Sequence, residues 1–277
     1  MRLGVIFDRE LPPEQLVPVA RALDALDRID DLWVVEDLGW TGGISSAATA
    51  LAVTTRLRTG IGITPAPLRN PMLLAMELAN LARLHPGRLA AGIGHGVPRW
   101  MEQAGAAVPS PLTLLEETIT AVRALLRGET VTTAGRYVRL DGLSLVHPPS
   151  VVPPVLAGVL RPRSLALSGR VAQGTILPEG FGPTGVREAL GTIAAPGEHE
   201  LVCFTYLHIG PGFPDHLVTE QARFLQVDES EVTMAVGTPE EAAASVRALW
   251  EAGADTVLVR PITQDPVPHV ESLLKAL

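Results

Sequence analysis

Residues 56–100 read RLRTGIGITPAPLRNPMLLAMELANLARLHPGRLAAGIGHGVPRW, and this stretch decides the fold. Its two short apolar runs, Thr59–Thr64 and Leu89–Ile93, are typical of strands buried on both faces of a parallel sheet. Between them, a stripe of apolar side chains predicts a helix over 70–84. Pro71 lies in the first turn of that helix, where its missing N–H is tolerated. The segment is therefore a predicted strand–helix–strand unit of an α/β protein.

The same alternation continues along the rest of the chain. Strands are predicted near residues 2–7, 32–36, 58–63, 88–93, 154–158, 173–177, 200–208 and 255–260. Helices are predicted near residues 13–27, 44–55, 70–84, 111–127, 162–170, 183–194, 214–226, 238–252 and 267–276. Eight strand–helix units predict a (β/α)8 TIM barrel, as a single domain over residues 1–277. A doubly wound open sheet is the structural alternative.

Two connections are longer than the others, and they predict insertions after strands four and seven. Residues 128–150 alternate polar and apolar positions around Gly135, which indicates a β-hairpin before strand five. Residues 209–237 form the second insertion and include a predicted helix. The glycines in 92–96 are a weak match to a dinucleotide-binding fingerprint, because their spacing differs from G-x-G-x-x-G and Pro98 intervenes.

Composition narrows the class of protein. The chain has 277 residues, a formal net charge of −8 and 47% hydrophobic residues, which predicts a sizeable core and argues against nucleic-acid binding. No apolar run reaches the ~18–20 residues that span a bilayer, so we expect no membrane partner. Cys203 is the single cysteine, which fits a reducing cytoplasm. The histidines lack metal-ligand spacing, so no metal site is expected.

Polar side chains follow several predicted strands, at the end where barrel enzymes place their active sites. Glu36 and Asp37 follow strand two, Thr64 ends strand three, and His95 lies between two glycines after strand four. Neighbouring barrel strands should bring these residues to one wall of the mouth. His95 is a candidate general acid or base, with a structural imidazole as the alternative. Other residues at predicted strand ends include Asp8, Gly158, Glu179, His208 and Arg260.

The segment Arg161-Pro162-Arg163-Ser164 opens a predicted helix. Proline and serine favour helix initiation, and free N–H groups at a helix start attract anions. The two guanidinium groups would strengthen a phosphate site at this position. The alternative is a solvated basic surface at a helix end.

Three segments, in the same order, carry a resemblance to the bacterial luciferase-like superfamily of flavin- and deazaflavin-dependent oxidoreductases. The first is the quoted stretch, with its RLRTGIGIT, Arg69-Asn70-Pro71, LANLARLHPGR and GIGHG elements. The second is PPVLAGVLRPRSLALSGRVAQGTIL, residues 153–177, and the third is VGTPEEAAASVRALWEAGADTVLV, residues 236–259. The resemblance covers nearly the whole chain, more weakly outside these segments.

The resemblance implies a cofactor site and a reactive face. It implies a non-prolyl cis peptide at Gly62-Ile63, forming a bulge behind the cofactor ring, and a phosphate site at the start of helix 162–170. Relatives carry an acid and then a histidine after strand two, where this chain has Glu36 and Asp37; Asp37 would replace that histidine and Glu36 would orient the ligand. The implied cofactor-binding residues are Gly62, Ile63, Thr64, Gly94, Gly96, Gly158, Arg161, Arg163 and Ser164, and the candidate catalytic residues are His95, Asp37 and Glu36.

These features predict an oxidoreductase that uses coenzyme F420, or else FMN, for hydride transfer to or from a small organic substrate. An FMN-dependent luciferase-like monooxygenase is the alternative within the same family. A non-catalytic flavin-binding protein on a degenerate barrel is the alternative from another class, because the strand-two histidine is missing and Arg161 stands where relatives have glycine. We expect a homodimer, with the charge-poor helix Pro71–Leu84 as the candidate interface.

Overall fold

The computed structural model describes all 277 residues and arranges the strands in a closed ring. The strands are β1 (Arg2–Ile6), β2 (Asp31–Val34), β3 (Arg58–Pro65), β4 (Leu89–Gly94), β5 (Val131–Ala134), β6 (Arg139–Leu143), β7 (Val155–Gly158), β8 (Gly174–Leu177), β9 (Glu200–Ile209), β10 (Ala235–Gly237) and β11 (Thr256–Pro261). Eight of them pair in parallel in the order β1-β2-β3-β4-β7-β8-β9-β11, and β11 pairs with β1 to close the ring. The predicted TIM barrel is confirmed, and the open-sheet alternative is wrong.

Helices surround this ring and alternate with its strands. They are α1 (Leu16–Asp24), α2 (Gly43–Val53), α3 (Pro71–Leu84), α4 (Pro98–Gln103), α5 (Pro111–Leu126), α6 (Pro162–Val171), α7 (Pro183–Ile193), α8 (Asp215–Leu225), α9 (Pro239–Glu251) and α10 (Pro266–Ala276). Seven of the ten begin with proline, whose fixed φ suits the first helical position. No helix combines the length and the apolar character that crossing a membrane requires.

Two insertions interrupt the alternation. The antiparallel pair β5–β6 lies between α5 and β7, and Glu117 of α5 accepts hydrogen bonds from the backbone N–H groups of Arg136, Tyr137 and Val138 at its turn. The second insertion, between β9 and α9, contains α8 and β10. The sequence did not predict β10, because its three residues pair only with the C-terminal extension of β9. The short helix α4 was also missed.

An ionic network fills the N-terminal end of the barrel. The buried guanidinium of Arg58, on β3, bonds Asp31 of β2 (Nε to Oδ1, 2.6 Å) and Glu200 of β9 (Nη1 to Oε2, 2.8 Å). Thr256 and Arg2 complete the network through Glu200 and Asp31. Burial raises the pKa of Asp31, whereas hydrogen bonds from Arg58 outweigh burial and hold the pKa of Glu200 below its ordinary value. Because β3 and β9 are opposite each other in the ring, Arg58 links the two halves of the barrel.

Apolar side chains fill the middle of the barrel. Trp33 of β2 is fully buried and lies edge-on to Phe204 of β9, with ring centroids 5.8 Å apart. The indole occupies the space beside Gly60 of β3, where an added Cβ would overlap its ring. The other members of this cluster are Ile6, Val35, Ala90, Leu156, Ile176, Val202 and Leu258. The glycine at position 60 is therefore required by the size of Trp33.

We predict that Arg58→Ala destabilises the fold by about 3–5 kcal/mol, because it leaves two carboxylates without their shared partner. Chemical denaturation measures the loss. Arg127→Ala is the matched control: its ion pair with Glu129 is about half exposed, so its loss should cost less than ~1 kcal/mol. Equal losses in both variants would show that the network does not hold the barrel.

We also predict that Gly60→Ala destabilises the protein by about 1–3 kcal/mol, because the new methyl group forces the Trp33 indole out of place. Gly191→Ala is the control, since this glycine lies in α7 with no atom near its missing Cβ. Alanine favours a helix over glycine by ~0.5–1 kcal/mol, so the control should be neutral or stabilised. Thermal or chemical unfolding that ranks the two variants in the opposite order contradicts the packing argument.

Candidate active site

The floor of the barrel mouth is formed by the bulge in β3. The Gly62-Ile63 peptide bond is cis, as the resemblance implies, and the pairing between β3 and β4 shifts register between Ile61 and Thr64. Thr64 is buried and Ile63 is partly exposed, above the apolar cluster of the lumen. A flat ligand entering the mouth would meet the Ile63 side chain.

Three of the predicted site glycines hold this bulge in place. An added Cβ at Gly94 would lie 3.0 Å from the Ile63 side chain, and one at Gly158 would overlap that side chain. At Gly62, an added Cβ would lie 2.6 Å from the ring of Phe204. The space beside these implied cofactor-binding glycines is therefore filled by other protein atoms. These glycines shape the floor, and direct contact with a cofactor stays a prediction for each.

His95 joins the end of β4 to the start of α6. Its Nε2 lies 3.0 Å from the hydroxyl oxygen of Ser164, a residue 69 positions further along the chain. Gly96 follows with φ of 71°, a backbone conformation that favours glycine, and this turn carries the chain away from the imidazole. Burial lowers the pKa of His95, and the backbone of Pro111 offsets this only in part. The neutral imidazole is therefore the favoured form near pH 7.

The N-terminus of α6 combines free donors with positive charge. The backbone N–H groups of Arg163 and Ser164 have no backbone acceptor, whereas the next N–H bonds the Arg161 carbonyl. Arg163 is exposed and forms no ion pair, so its guanidinium is available to an anion. Arg161 differs, because its guanidinium donates to the carbonyls of Phe224 and Leu225 at the end of α8. Arg161 thus caps the C-terminal end of α8, and its contact with a phosphate stays a prediction.

Glu36 and Asp37 each lie in an ion pair. Arg69 donates to both oxygens of Glu36, at 2.6 and 3.2 Å, and the N–H of Gly43 at the start of α2 donates to Oε2 as well. Asp37 Oδ2 accepts a hydrogen bond of 2.6 Å from Arg9. No hydrogen bond or ion pair joins either carboxylate to His95. The three candidate catalytic residues therefore lie in separate hydrogen-bonded groups.

Aromatic side chains follow β2 and β4 at the rim. The Arg9 guanidinium lies 4.5 Å from the ring centroid of Trp40, and Trp40 lies 5.9 Å from Trp100. Trp40 is 42% exposed, so the indole offers an apolar surface to the mouth.

A second buried ionic cluster, not recognised as a unit from the sequence, lies at the ends of β1, β8 and β11. Arg260 of β11 bonds Asp8 (Nε to Oδ2, 2.5 Å) and Glu179 (Nη1 to Oε1, 3.1 Å). The Arg260 guanidinium lies 5.7 Å from the ring centroid of Tyr206, whose hydroxyl accepts a 3.3 Å hydrogen bond from Gln221 of α8. The positions of the three charged residues at strand ends were the available signal. Tyr206 lies inside β9 and Gln221 in an insertion, so neither gave a signal.

The structure brings part of the predicted site together. The group formed by Ile63, Gly94, His95, Gly158 and Ser164 meets at the ends of β3, β4 and β7. Arg163 lies next to this group at the start of α6. Nowhere do three or more His, Cys, Asp or Glu side chains group in a way that could hold a metal ion.

Comparison with known proteins places this arrangement in a family. Residues 3–202 match the sequence family described as luciferase-like monooxygenase. A 5,10-methylenetetrahydromethanopterin reductase of Methanolobus tindarius is 27% identical over 180 residues, which cover 64% of this chain and 54% of the relative. An F420-dependent glucose-6-phosphate dehydrogenase of Beutenbergia cavernae is 32% identical over 168 residues, covering 57% of this chain and 49% of the relative. The chain thus spans about half the length of the curated relatives it matches.

Solved structures agree on the fold. An F420-dependent secondary alcohol dehydrogenase in complex with an F420-acetone adduct superposes with a TM-score of 0.81 at 18% identity, covering 98% of both chains. The monooxygenase RslO1 from Streptomyces bottropensis superposes with a TM-score of 0.79 at 20% identity, covering 100% of this chain and 97% of that one. At these identities the likeness concerns the barrel alone. The family match covers most of the chain, and the protein therefore belongs to the luciferase-like monooxygenase family.

Proposed function

We propose that the protein is an oxidoreductase that uses coenzyme F420, or else FMN, to transfer a hydride to or from a small organic substrate. The observation that carries the proposal is the Ile63 floor beside the N-terminus of α6. It places an apolar platform next to an anion-binding helix start, which suits a planar ring with a phosphate-bearing side chain. The F420-dependent names among the curated relatives support coenzyme F420 as the first choice.

The residues present fit such a cofactor. Ile63 would support the ring, because Gly94 and Gly158 fix its side chain from below. Arg163 and the free N–H groups at the α6 start would hold the phosphate. When bound, the cofactor supplies the atom that accepts or donates a hydride.

Proton transfer would fall to His95. Its neutral imidazole would accept a proton at Nε2 by way of the Ser164 hydroxyl, 3.0 Å away, because Nδ1 is buried and out of reach of a ligand. Glu36 would act as a positioning residue through Arg69 and Gly43, since both of its oxygens are already bonded. Asp37 is the remaining candidate for proton transfer, although its carboxylate is held in an ion pair with Arg9.

Two alternatives use the same site. The family description and the monooxygenase among the structural neighbours support an FMN-dependent monooxygenase. The ion-paired state of Glu36 and Asp37 supports a flavin-binding protein without catalysis. Parallel spectroscopic titrations with F420, FMN and FAD, oxidised and reduced, separate the cofactors. Oxidation of bound reduced FMN by O₂ together with substrate oxygenation would favour the monooxygenase, and binding without turnover of any tested substrate would favour the third reading.

We also propose a homodimer in the cytoplasm, with α3 as the interface. The outer face of α3 exposes Leu73 (59%), Met76 (49%) and Leu84 (64%), and apolar stripes of this kind mark partner surfaces. The single cysteine, buried and unpaired, supports a reducing compartment. Sedimentation velocity should show a dimer that Met76→Glu shifts toward the monomer. A single species of monomer mass at micromolar concentrations contradicts the interface.

We predict that Arg163→Ala weakens cofactor binding by about 1.5–3 kcal/mol, the scale of one charge-assisted contact. Because the side chain is exposed, stability should be unchanged. The control is Arg170→Ala at the other end of α6, which should leave affinity unaltered. Isothermal calorimetry measures both, and equal affinities in the two folded variants would exclude the phosphate site at α6.

We predict that His95 makes the fold sensitive to mild acid. Its pKa is lowered in the folded protein, so the unfolded chain binds the proton more readily and stability falls as the pH drops below about 6.5. Between about pH 7.5 and pH 5, the free energy of unfolding of the wild type should fall by more than that of His95→Gln, which has no titrating imidazole at this position. Urea denaturation at the two pH values measures the difference; equal losses would mean that His95 titrates without cost to the fold.

A further inference from the structure

Charge at the barrel mouth is unevenly distributed around the ring of strands. The side at α6 carries Arg161 and Arg163, and no acidic residue occurs in the sequence between Asp141 and Glu179. Neither arginine forms an ion pair with a carboxylate. The Arg161 guanidinium donates to backbone carbonyls of α8, so Arg163 supplies the free positive charge. Anion-binding capacity is therefore concentrated where the proposed function places the cofactor phosphate.

A second group of charged residues lies at the ends of β11, β1, β2 and β3, which are consecutive in the ring, and after β8, which neighbours β7; we name this group the acidic wall. Each of its three arginines meets two carboxylates. Arg9 pairs with Asp37 and Glu10, Arg69 with Glu36 and Glu77, and Arg260 with Asp8 and Glu179. Glu10 and Glu77 are 65% and 45% exposed, so they lie on the outer surface. The inner part of the wall consists of the three guanidinium groups and the carboxylates of Asp8, Glu36, Asp37 and Glu179, with a net charge of −1.

The hydrogen bonds show that these arginines are already bound to carboxylates of the protein. Arg260 is 8% exposed, with Nε bound to Asp8 and Nη1 to Glu179. Arg9 is further covered by Trp40. An incoming phosphate or carboxylate would have to displace an internal carboxylate and would approach like charge, at a cost in binding.

The surface beside the acidic wall is apolar. Trp40, Leu38 and Leu68 are 42%, 37% and 36% exposed and follow β2 and β3. Such side chains gain binding free energy from uncharged hydrocarbon or aromatic surface.

We propose that the substrate is an uncharged alcohol or carbonyl compound with an apolar or aromatic body, and that the acidic wall rejects anionic substrates such as phosphorylated sugars. This proposal rests on the proposed function for the identity of the reaction, but its charge selectivity is a property of the mouth alone. Glu179 should contribute most directly to this charge selectivity, because removing its charge leaves Arg260 with Asp8 as its single carboxylate partner.

The test compares two ketones of the same skeleton, acetophenone and 4-acetylbenzoate, which differ by one carboxylate. Ligand-observed NMR gives their Kd for protein saturated with F420 or FMN, and for cofactor-free protein in inorganic phosphate, which occupies the α6 side. Acetophenone should bind at least about tenfold more tightly at low ionic strength. Equal or tighter binding of 4-acetylbenzoate, or binding of neither ketone, overturns the proposal.

Glu179→Gln should lower the ratio of the 4-acetylbenzoate Kd to the acetophenone Kd at least about threefold and leave cofactor affinity unchanged. Glu188→Gln is the matched control, since this exposed residue on α7 removes the same charge outside the wall and should leave the ratio unaltered. The wild-type ratio decides the proposal even where Glu179→Gln does not fold. Failure of both cofactors to bind would refute the proposed function, while the ratio in cofactor-free protein would still report on the wall.

Discussion

The barrel depends on the buried ionic network around Arg58. Its guanidinium reaches from β3 to Glu200 on β9, strands that face each other across the ring, and it also bonds Asp31 of the neighbouring strand. A charge buried to this extent is tolerated only with complete partners, and the network supplies them. The network seals the N-terminal end of the lumen with polar groups, so that the apolar cluster above it is closed off from water on that side.

The height of the candidate site above this network is set by packing within the lumen. Trp33 and Phe204 occupy the space left by Gly60 and Gly62, and Ile63 rests on Gly94 and Gly158. In both places, glycines on the strands leave the space that these large side chains fill. The platform for a planar ligand is therefore built from strands, which hold geometry better than loops do. Most of the charged groups at the mouth, by contrast, come from residues that follow the strands, such as Asp8, Glu36 and Glu179, and substitutions there should leave the floor in place.

Much of the fold could be predicted from the sequence because strand–helix alternation is a local signal. The order of elements, both insertions and the special peptide at Gly62-Ile63 were anticipated, the last only through family resemblance. Partners were not predictable, because they are distant in sequence: Ser164 lies 69 positions from His95, and Leu225 lies 64 positions from Arg161. From the sequence we predicted that Arg161 binds a phosphate, because a guanidinium at a helix start suggests an anion site. In the structure its guanidinium instead donates to backbone carbonyls at the end of α8, a contact that the sequence does not show.

The closure of the ring has a consequence for biosynthesis. β1 pairs with β11, which is synthesised more than two hundred residues later. Glu200, the partner of Arg58, is synthesised 142 residues after it. A ribosome-bound chain must therefore hold β1 with an unpaired edge for most of translation, and such edges template association with other chains. Until the final strand emerges, the edge of β1 that pairs with β11 stays open, and it is the part of the partly made barrel best suited to pairing with a strand of another chain.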